Sequence, residues 1–408
     1  MKGFIDLNSP KLHAVLYALL LIFTPFIMLQ NYLQRSISEL SHWKVNLLGI
    51  DIPVVFGVFA LLCIVFAILY IRKLTFYRIV SLLVVFIMIV LGQNISDFYS
   101  SNDFYDLQNN WHYIAYGLFS FFFYRAYDRP LKNNGKFIFT TYLVAIGLSS
   151  FDETFQYFLS SRVFDLSDIA KDGWGIIMGL VAIFFFYDQG KNITKDGWKI
   201  TRKSFRHYLK SGLSLLVFFA IFNFIFLIIS SMHTAFHFVP FVILSSIITS
   251  VVLVLLIHFS QIKFFRIILL CLIALMIIST GISYLGNSDE NLKFLNQNLV
   301  MYKGIPLCYF DILISPDDGF RFVDKKKFFT VQDRKALLRQ QADILIVSSG
   351  TSGKGGQGIS DAPVKFGYNP FLDDCTQIIV KKTPEACKLY NRLKDTGKKV
   401  AIVIHNSR

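Results

Sequence analysis

Residues 212–231 read Gly-Leu-Ser-Leu-Leu-Val-Phe-Phe-Ala-Ile-Phe-Asn-Phe-Ile-Phe-Leu-Ile-Ile-Ser-Ser. The stretch carries no charge and matches the about 20 mostly apolar residues that a helix needs to cross a hydrocarbon core. In lipid a backbone must satisfy its own hydrogen bonds, so such a run reads as a helix and not as a loop. It is hydrophobic all round, so its faces cannot be assigned. Two similar runs follow at 238–259 and 265–285, and six precede it, at about 12–30, 53–71, 79–95, 112–127, 137–159 and 168–187. The expected fold is therefore an α-helical polytopic membrane bundle of about nine transmembrane helices. Composition agrees, since 54% of the 408 residues are hydrophobic, with 43 Phe, and the mean hydropathy is +0.51. The first run has only Lys2 and Lys11 before it and no small-x-small cleavage site after it, which reads as a retained signal-anchor.

Net charge is +14, and its placement is informative. With the N-terminus in the cytoplasm, the inner segments collect Lys2, Lys11, Arg72, Lys73 and Arg78, the basic stretches 125–136 and 191–210, and Lys263 and Arg266. The outer loops then hold only Arg35, Lys44, Arg162 and Lys171. That asymmetry follows the positive-inside rule and predicts a multi-pass protein of the cell membrane with a cytoplasmic N-terminus. The run 191–210 is accounted for by topology and anionic headgroups. It has no aromatic stacking platform, so no nucleic-acid partner is expected.

After Leu285 the composition changes. A short polar linker, 286–291, leads into 292–408, which has the pattern of a compact soluble α/β domain. Thr330-Val-Gln-Asp333 is a capping box that opens a helix to about Gln341. Ile344-Leu-Ile-Val347, Gln377 to Lys381 and Val400 to Ile404 read as strands. Thr383 as N-cap and Pro384 at the first helical position start a helix that stops at Gly397. The chain thus divides into N-terminal transmembrane helices (1–78), a central transmembrane domain (79–187), further helices (188–285), the linker and the soluble domain. Cys63 and Cys271 lie inside apolar runs, Cys308, Cys375 and Cys387 lie in the tail, and none has metal-site spacing. His233 and His237 lack a third ligand, so no metal and no cofactor is expected.

The segment 109–179 holds an unusual density of polar groups between apolar runs. His112 opens one run, Asp152, Glu153 and Gln156 close the next, and Arg162, Asp165, Ser167, Asp168 and Asp172 lead into Gly173, Gly175 and Gly179. Charges near or within spans are costly and usually face a protein interior or a wet cavity. Glu153 and Gln156 are three apart and share a helix face, as do Asp165, Asp168 and Asp172 if their helix starts early. Carboxylates beside a His and an Arg supply an acid, a base and an anion holder. His112, Glu153 and Asp168 are the candidates for catalysis, and Gln156, Arg162 and Asp172 for binding. The blander reading leaves these groups solvated in the headgroup zone. Gly175 and Gly179 form a small-xxx-small pattern that allows close helix approach.

These residues carry a resemblance. The stretch from about 80 to 187 resembles the VanZ-like family of bacterial membrane proteins, whose pattern is Asp-Lys-x-x-His, Glu-x-x-Gln, an Arg, and Asp-x3-Asn-x2-Gly-x3-Gly. His112, Glu153, Gln156, Arg162, Asp168, Gly175 and Gly179 stand at matching positions, whereas Gln108 replaces the family's Asp and Asp172 its Asn. The family is named for glycopeptide (teicoplanin) resistance and has no established reaction, so the resemblance implies a cell-envelope role without supplying a chemistry.

In the tail, Ser348-Ser-Gly-Thr-Ser-Gly-Lys-Gly355 tempts with a phosphate loop. Ser348 stands where the first Gly of that motif belongs, Gly355 replaces the magnesium-binding hydroxyl, and no helix signal follows, so a flexible turn is the default. Residues 292–408 resemble the small β/β/α domain family of the adipogenesis-associated protein and a mitochondrial complex I assembly factor. The resemblance rests on Tyr309-Phe-Asp311-Ile-Leu-Ile, Ile344 to Gly350, the segment from Thr383 through Ala386, Tyr390, Asn391 and Leu393 to Gly397, and His405-Asn-Ser407. It implies a binding or assembly module. Read from the residues, Tyr390 and Asn391 are either functional groups or, as the expectation favours, fold-keeping hydrogen-bonding residues. Typical members are intracellular, whereas nine spans from a cytoplasmic N-terminus place the tail outside; the expectation leans to the outside.

The function expected is a non-enzymatic envelope protein. Its outer polar pocket binds a lipid-linked or lipopeptide ligand, and its tail binds a protein partner; membrane lipids are partners by composition. A membrane enzyme using Glu153, Asp168 and His112 is the first alternative, and a proton-coupled transporter the second.

Overall fold

The computed structural model describes residues 8–23, 43–47, 50–54, 57–58, 61, 73–96, 107–128, 130–158, 164–193, 210–232, 239–286, 291–296, 299–308, 311–323, 329, 331–359, 364–370 and 372–405. The chain forms two compact units, one ending at His258 and the other holding Phe259–Arg408.

The first unit is helical. Its described elements are α1 (Pro10–Phe23), a short antiparallel pair β1 (Lys44–Leu47) and β2 (Ile50–Pro53), α2 (Phe76–Ser96), α3 (Leu107–Ala126), α4 (Asn134–Gln156), α5 (Leu166–Val181), α6 (Gly212–Met232) and α7 (Val239–Ser260). One π-helical turn, Ala182–Tyr187, continues α5. Among the described residues, five segments are long and apolar enough to cross a membrane: Phe76–Gln93, Leu166–Tyr187, Gly212–Ser231, Val239–Ser260 and Lys263–Ile282. Helices α3 and α4 have the length, with polar residues at the end of the bundle where α3 begins and α4 ends. The run expected at 53–71 falls mostly outside the described residues, and that at 12–30 is described only as the 14 residues of α1.

Helix α5 is the axis of this unit. Its residues are buried almost without exception, packed against α2, α3 and α4. Glycines allow the approach. A Cβ at Gly175 would lie 2.9 Å from the Tyr113 Cα and 2.9 Å from its carbonyl oxygen, and one at Gly179 would lie 2.7 Å from the Gly117 carbonyl oxygen. Polar ties across helices reinforce the packing: Trp174 Nε1 donates to the Met88 carbonyl (2.7 Å) and Tyr17 OH to the Ala115 carbonyl (2.9 Å). Asn223, alone among apolar neighbours in α6, donates to the Ala170 carbonyl (2.8 Å) and accepts from Tyr142 OH (2.8 Å). A side chain at Gly173 would collide with that amide.

The second unit contains α8 (Lys263–Gly286) and an α/β domain. The domain's elements are β3 (Leu292–Asn296), β4 (Leu299–Tyr302), β5 (Ile305–Cys308), β6 (Asp311–Ile314), β7 (Phe320–Val323), α9 (Val331–Leu338), β8 (Ile344–Ser348), β9 (Val364–Asn369), β10 (Asp374–Lys381), α10 (Thr383–Asp395) and β11 (Val400–Ile404). Six strands form one mixed sheet in the order β7-β6-β11-β8-β10-β9, with β11, β8 and β10 parallel. The three strands read from sequence are this central trio. β8 and β11 are continuous, fully buried apolar runs because both faces of the sheet are covered there, while in β10 the apolar run is Ile378–Val380. On one face α10 and the antiparallel meander β3-β4-β5 bury Leu292, Val300, Ala386 and Tyr390 against Ile346 and Ile402. On the other, Leu337 of α9 and Phe329 pack on Leu345, Ala401 and Val403.

Two details differ from the sequence reading. Lys382, not Thr383, is the N-cap of α10, and Thr383 is the first helical residue. Its hydroxyl instead reaches the His405 carbonyl oxygen at 3.1 Å, so sheet contacts outweigh the capping preference. Helix α9 ends at Leu338, and Gln341 has a φ of 52°. Gly397, with φ 75°, follows α10 in the left-handed conformation that glycine adopts without strain. Asn391 acts as expected of a fold-keeping residue, since its amide donates to the Leu292 carbonyl (2.7 Å) and its carbonyl accepts from Leu292 N–H (3.0 Å). Thr330, the start of the expected capping box, lies outside the described residues, as do His233, His237, Asn406, Ser407 and most of 191–210.

Candidate functional site

Three helix segments bring the polar residues together. On α4, Asp152 and Glu153 each lie three or four residues from both Ser149 and Gln156, so the four residues border one face. On α5, Asp168 and Asp172 are four apart and point the same way. On α3, His112 stands one turn into the helix.

His112 Nδ1 donates to Asp172 Oδ1 at 2.8 Å. The other oxygen of Asp172 accepts from the Ser149 hydroxyl at 2.6 Å. Asp172 and Ser149 are both buried, so among the described residues these two donors supply the carboxylate's polar partners. The second ring nitrogen, His112 Nε2, lies 3.7 Å from Asp168 Oδ1, a Coulombic contact rather than a hydrogen bond. Asp168 in turn accepts from Lys171 Nζ at 2.7 Å. Lys171 was placed by charge counting in an outer loop, yet it lies in the second turn of α5 and is buried. Its partner three residues earlier explains how a cation is tolerated there.

A second group adjoins the first. Glu153 is 2% exposed, accepting from Gln156 Nε2 (2.9 Å) on one oxygen and from the Asp165 backbone N–H (3.1 Å) on the other. Gln156 also donates to Asp152 (3.2 Å). Asp165 does not extend the acidic face of α5. It is the N-cap, accepting from Ser167 N–H at 2.8 Å, and the helix begins at Leu166. The end of α4 and the start of α5 are thus latched through Glu153 and Asp165.

The structure therefore brings His112, Asp168 and Asp172 together, and Glu153 with Gln156, while Arg162 lies outside the described residues. Sequence reasoning missed Ser149, Lys171 and Asn223. Ser149 had a signal, since it lies four residues before Glu153 on the same face. Asn223 had one as well, a single amide in an otherwise apolar span. Among the described residues, no group of three or more His, Cys, Asp or Glu side chains is arranged to hold a metal ion. Chemically, the arrangement provides an imidazole backed by a carboxylate on one nitrogen and facing a second carboxylate with the other.

One family model is similar to part of the chain. The model described as VanZ/LLP1 matches residues 13–188, the stretch that runs from within α1 through α5 and holds every residue of this cluster. No curated protein and no solved structure matches the chain.

Proposed function

We propose that this chain, VanZ-like over residues 13–188, is a multi-pass cell-envelope membrane protein that binds a lipid-linked or lipopeptide ligand at the polar cluster. The observation that carries the reading is Asp172. A carboxylate buried inside a helix bundle and held, among the described residues, by Ser149 and His112 is expensive to maintain, which supports reading it as part of a site. The family supports the envelope setting, and the five long apolar segments support the membrane. In this reading the cluster lies toward the outer side with the N-terminus inside, in keeping with the positive-inside rule. Gln156, Asp168 and Asp172 contact the ligand's polar group, Arg162 holds an anionic portion of it, and the domain over 292–408 recruits a protein partner.

One observation favours a second reading. His112 is oriented by Asp172 and directs Nε2 toward Asp168, which is the layout of a general acid-base pair. An enzyme would use Asp168 or Glu153 with His112 on a lipid-linked substrate.

The test is native mass spectrometry of the full chain released from nanodiscs of native lipid extract. Wild type is expected to retain a lipid adduct that His112→Gln and Asp168→Asn lose; because each substitution removes a partner of a buried charge, each variant is measured folded, below its own melting temperature. Retention of the same adducts by both variants overturns the binding reading. An adduct that Glu153→Gln retains uncleaved but wild type converts to a smaller product points to the enzyme.

A further inference from the structure

The α/β domain has a polar group of its own, at the edge of the sheet where the parallel strands end. His405 follows β11, Ser348 ends β8, and Asp311 opens β6, which runs antiparallel to β11. The register pairs Ile404 with Ile312, so Asp311 stands opposite His405. His405 Nδ1 donates to Asp311 Oδ2 at 2.7 Å, and both side chains are buried. The His405 backbone N–H donates to Ser348 Oγ at 2.6 Å, and Thr383 Oγ1 donates to the His405 carbonyl at 3.1 Å.

The bland account is a tie between β6 and β11. It explains Nδ1 and leaves Nε2 over. His405 is 3% exposed, and among the described residues its Nε2 meets no hydrogen-bond partner. No hydroxyl among them is therefore set against that nitrogen as a nucleophile. A buried polar atom left unpaired is costly and calls for a partner from outside the fold.

The surroundings indicate the chemistry of that partner. The imidazole meets the Phe329 ring, with centroids 5.6 Å apart, and the Phe329 N–H donates to the Gln357 carbonyl at 2.7 Å. His405 thus adjoins the glycine-rich turn that follows β8. In that turn Gly350, Gly353, Gly356 and Gly358 have φ values of 76°, 77°, 76° and 82°, the left-handed backbone from which anion-binding concavities of N–H groups are built. The Thr383 N–H donates to the Gly350 carbonyl at 3.2 Å, which brings the N-terminus of the 13-residue α10 to the turn, where its dipole favours negative charge. Lys354 is exposed in the turn, and Lys382 borders it, since an added Cβ at Gly353 would lie 3.2 Å from the Lys382 Cε. The carboxyl ends of parallel strands are also where open α/β sheets receive their ligands.

From this geometry we infer that His405, held by Asp311 at the carboxyl edge of the sheet, binds a phosphate monoester together with the glycine-rich turn, independently of the polar cluster in the helices. With Nδ1–H given to Asp311, the neutral ring presents a lone pair at Nε2 that accepts from a P–OH group. The remaining phosphate oxygens suit the N–H groups of the turn and the ammonium groups of Lys354 and Lys382. The monoester is supplied either by a water-soluble compound or by a phospholipid headgroup.

Isothermal titration of the full chain in detergent with inorganic phosphate tests the first source. Native mass spectrometry of the full chain from nanodiscs with and without phosphatidic acid tests the second. The decisive variant is His405→Asn, whose amide nitrogen takes the place of Nδ1 against Asp311 and leaves nothing at the position of Nε2. Saturable phosphate binding that weakens about 10-fold or more in this variant is the expected result for a soluble ligand, on the usual strength of a hydrogen bond to a charged group. Retained phosphatidic acid that the variant loses, without phosphate binding, identifies a lipid headgroup. Lys388→Gln, on an exposed face of α10, is expected to behave as wild type in both. If His405→Asn fails to fold, Lys354→Gln takes its place with the same expected loss, because that side chain is exposed. Binding of neither probe by wild type, or unchanged binding in the folded variant, overturns the inference and leaves the pair as a tie between strands.

Discussion

At the scale of single residues, Asp172 and Gly175 show how one helix turn serves two purposes. Asp172 stands where the VanZ-like pattern has Asn, and Gln108 stands where that pattern has Asp before the His. The carboxylate that orients His112 therefore comes from α5, across 60 residues of chain, rather than from the turn before it. That contact requires α3 and α5 to lie close, and three residues further on Gly175 lets the backbones meet. A methyl there would press on the Tyr113 backbone, which cannot rotate away as a side chain can. Gly175→Ala is expected to cost about 1–3 kcal/mol of stability through overpacking. Gly147→Ala, in α4 with nothing within 4 Å of the added Cβ, is expected to be neutral or stabilising by up to about 1 kcal/mol through helix propensity. Thermal unfolding in detergent micelles measures both. Equal melting temperatures for the two variants would refute the close-approach account.

At the scale of elements, the Ser315–Gly319 turn joining β6 to β7 is held by charge. Partial burial raises the Asp318 carboxyl, but hydrogen bonds from Lys394 and Lys303 outweigh it and hold its pKa below the usual range. A depressed folded-state value means that the pairing stabilises the domain above the unfolded value and is lost as pH falls through the folded one, below about pH 4. Asp318 is 41% exposed, so solvent screens the pair and the effect is local rather than global. Amide hydrogen exchange over 311–323 is expected to speed up between pH 6 and pH 3 beyond its intrinsic pH dependence. Asp318→Asn tolerates the left-handed backbone and is expected to show the faster, acid-like opening already at pH 6. Protection in that variant equal to wild type at both pH values would show that the clamp does not hold the turn.

At the scale of the whole molecule, sidedness is the property on which both proposals depend for their ligands. Single cysteines at Phe158, which is 75% exposed at the end of α4, and at Lys354, exposed in the glycine-rich turn after β8, suit an impermeant thiol reagent in intact cells. All native cysteines would be replaced first. Labelling at both positions is expected under the proposed orientation. Labelling at Phe158 alone would put the α/β domain on the cytoplasmic side and change the number of crossings by one.

The sequence by itself determined the helical membrane character, because runs of about 20 mostly apolar, uncharged residues such as 212–231 can satisfy their backbone in lipid as helices. It also determined the three central strands of the tail, whose apolar stretches, continuous in β8 and β11, suit a sheet covered on both faces. Contacts within one helix were legible too: Glu153 meets Gln156 because a helix repeats every 3.6 residues. Only the tertiary structure decided the rest. It took Asp165 out of the acidic face and made it a cap, placed Lys171 inside the bundle beside Asp168, and gave His112 its partners Asp172 and Asp168. It also brought Asp311, Ser348 and His405 from separate strands to one edge of the sheet. Those pairings depend on which helices and strands become neighbours. Neighbours are chosen by packing of whole faces, and local spacing carries no record of that choice.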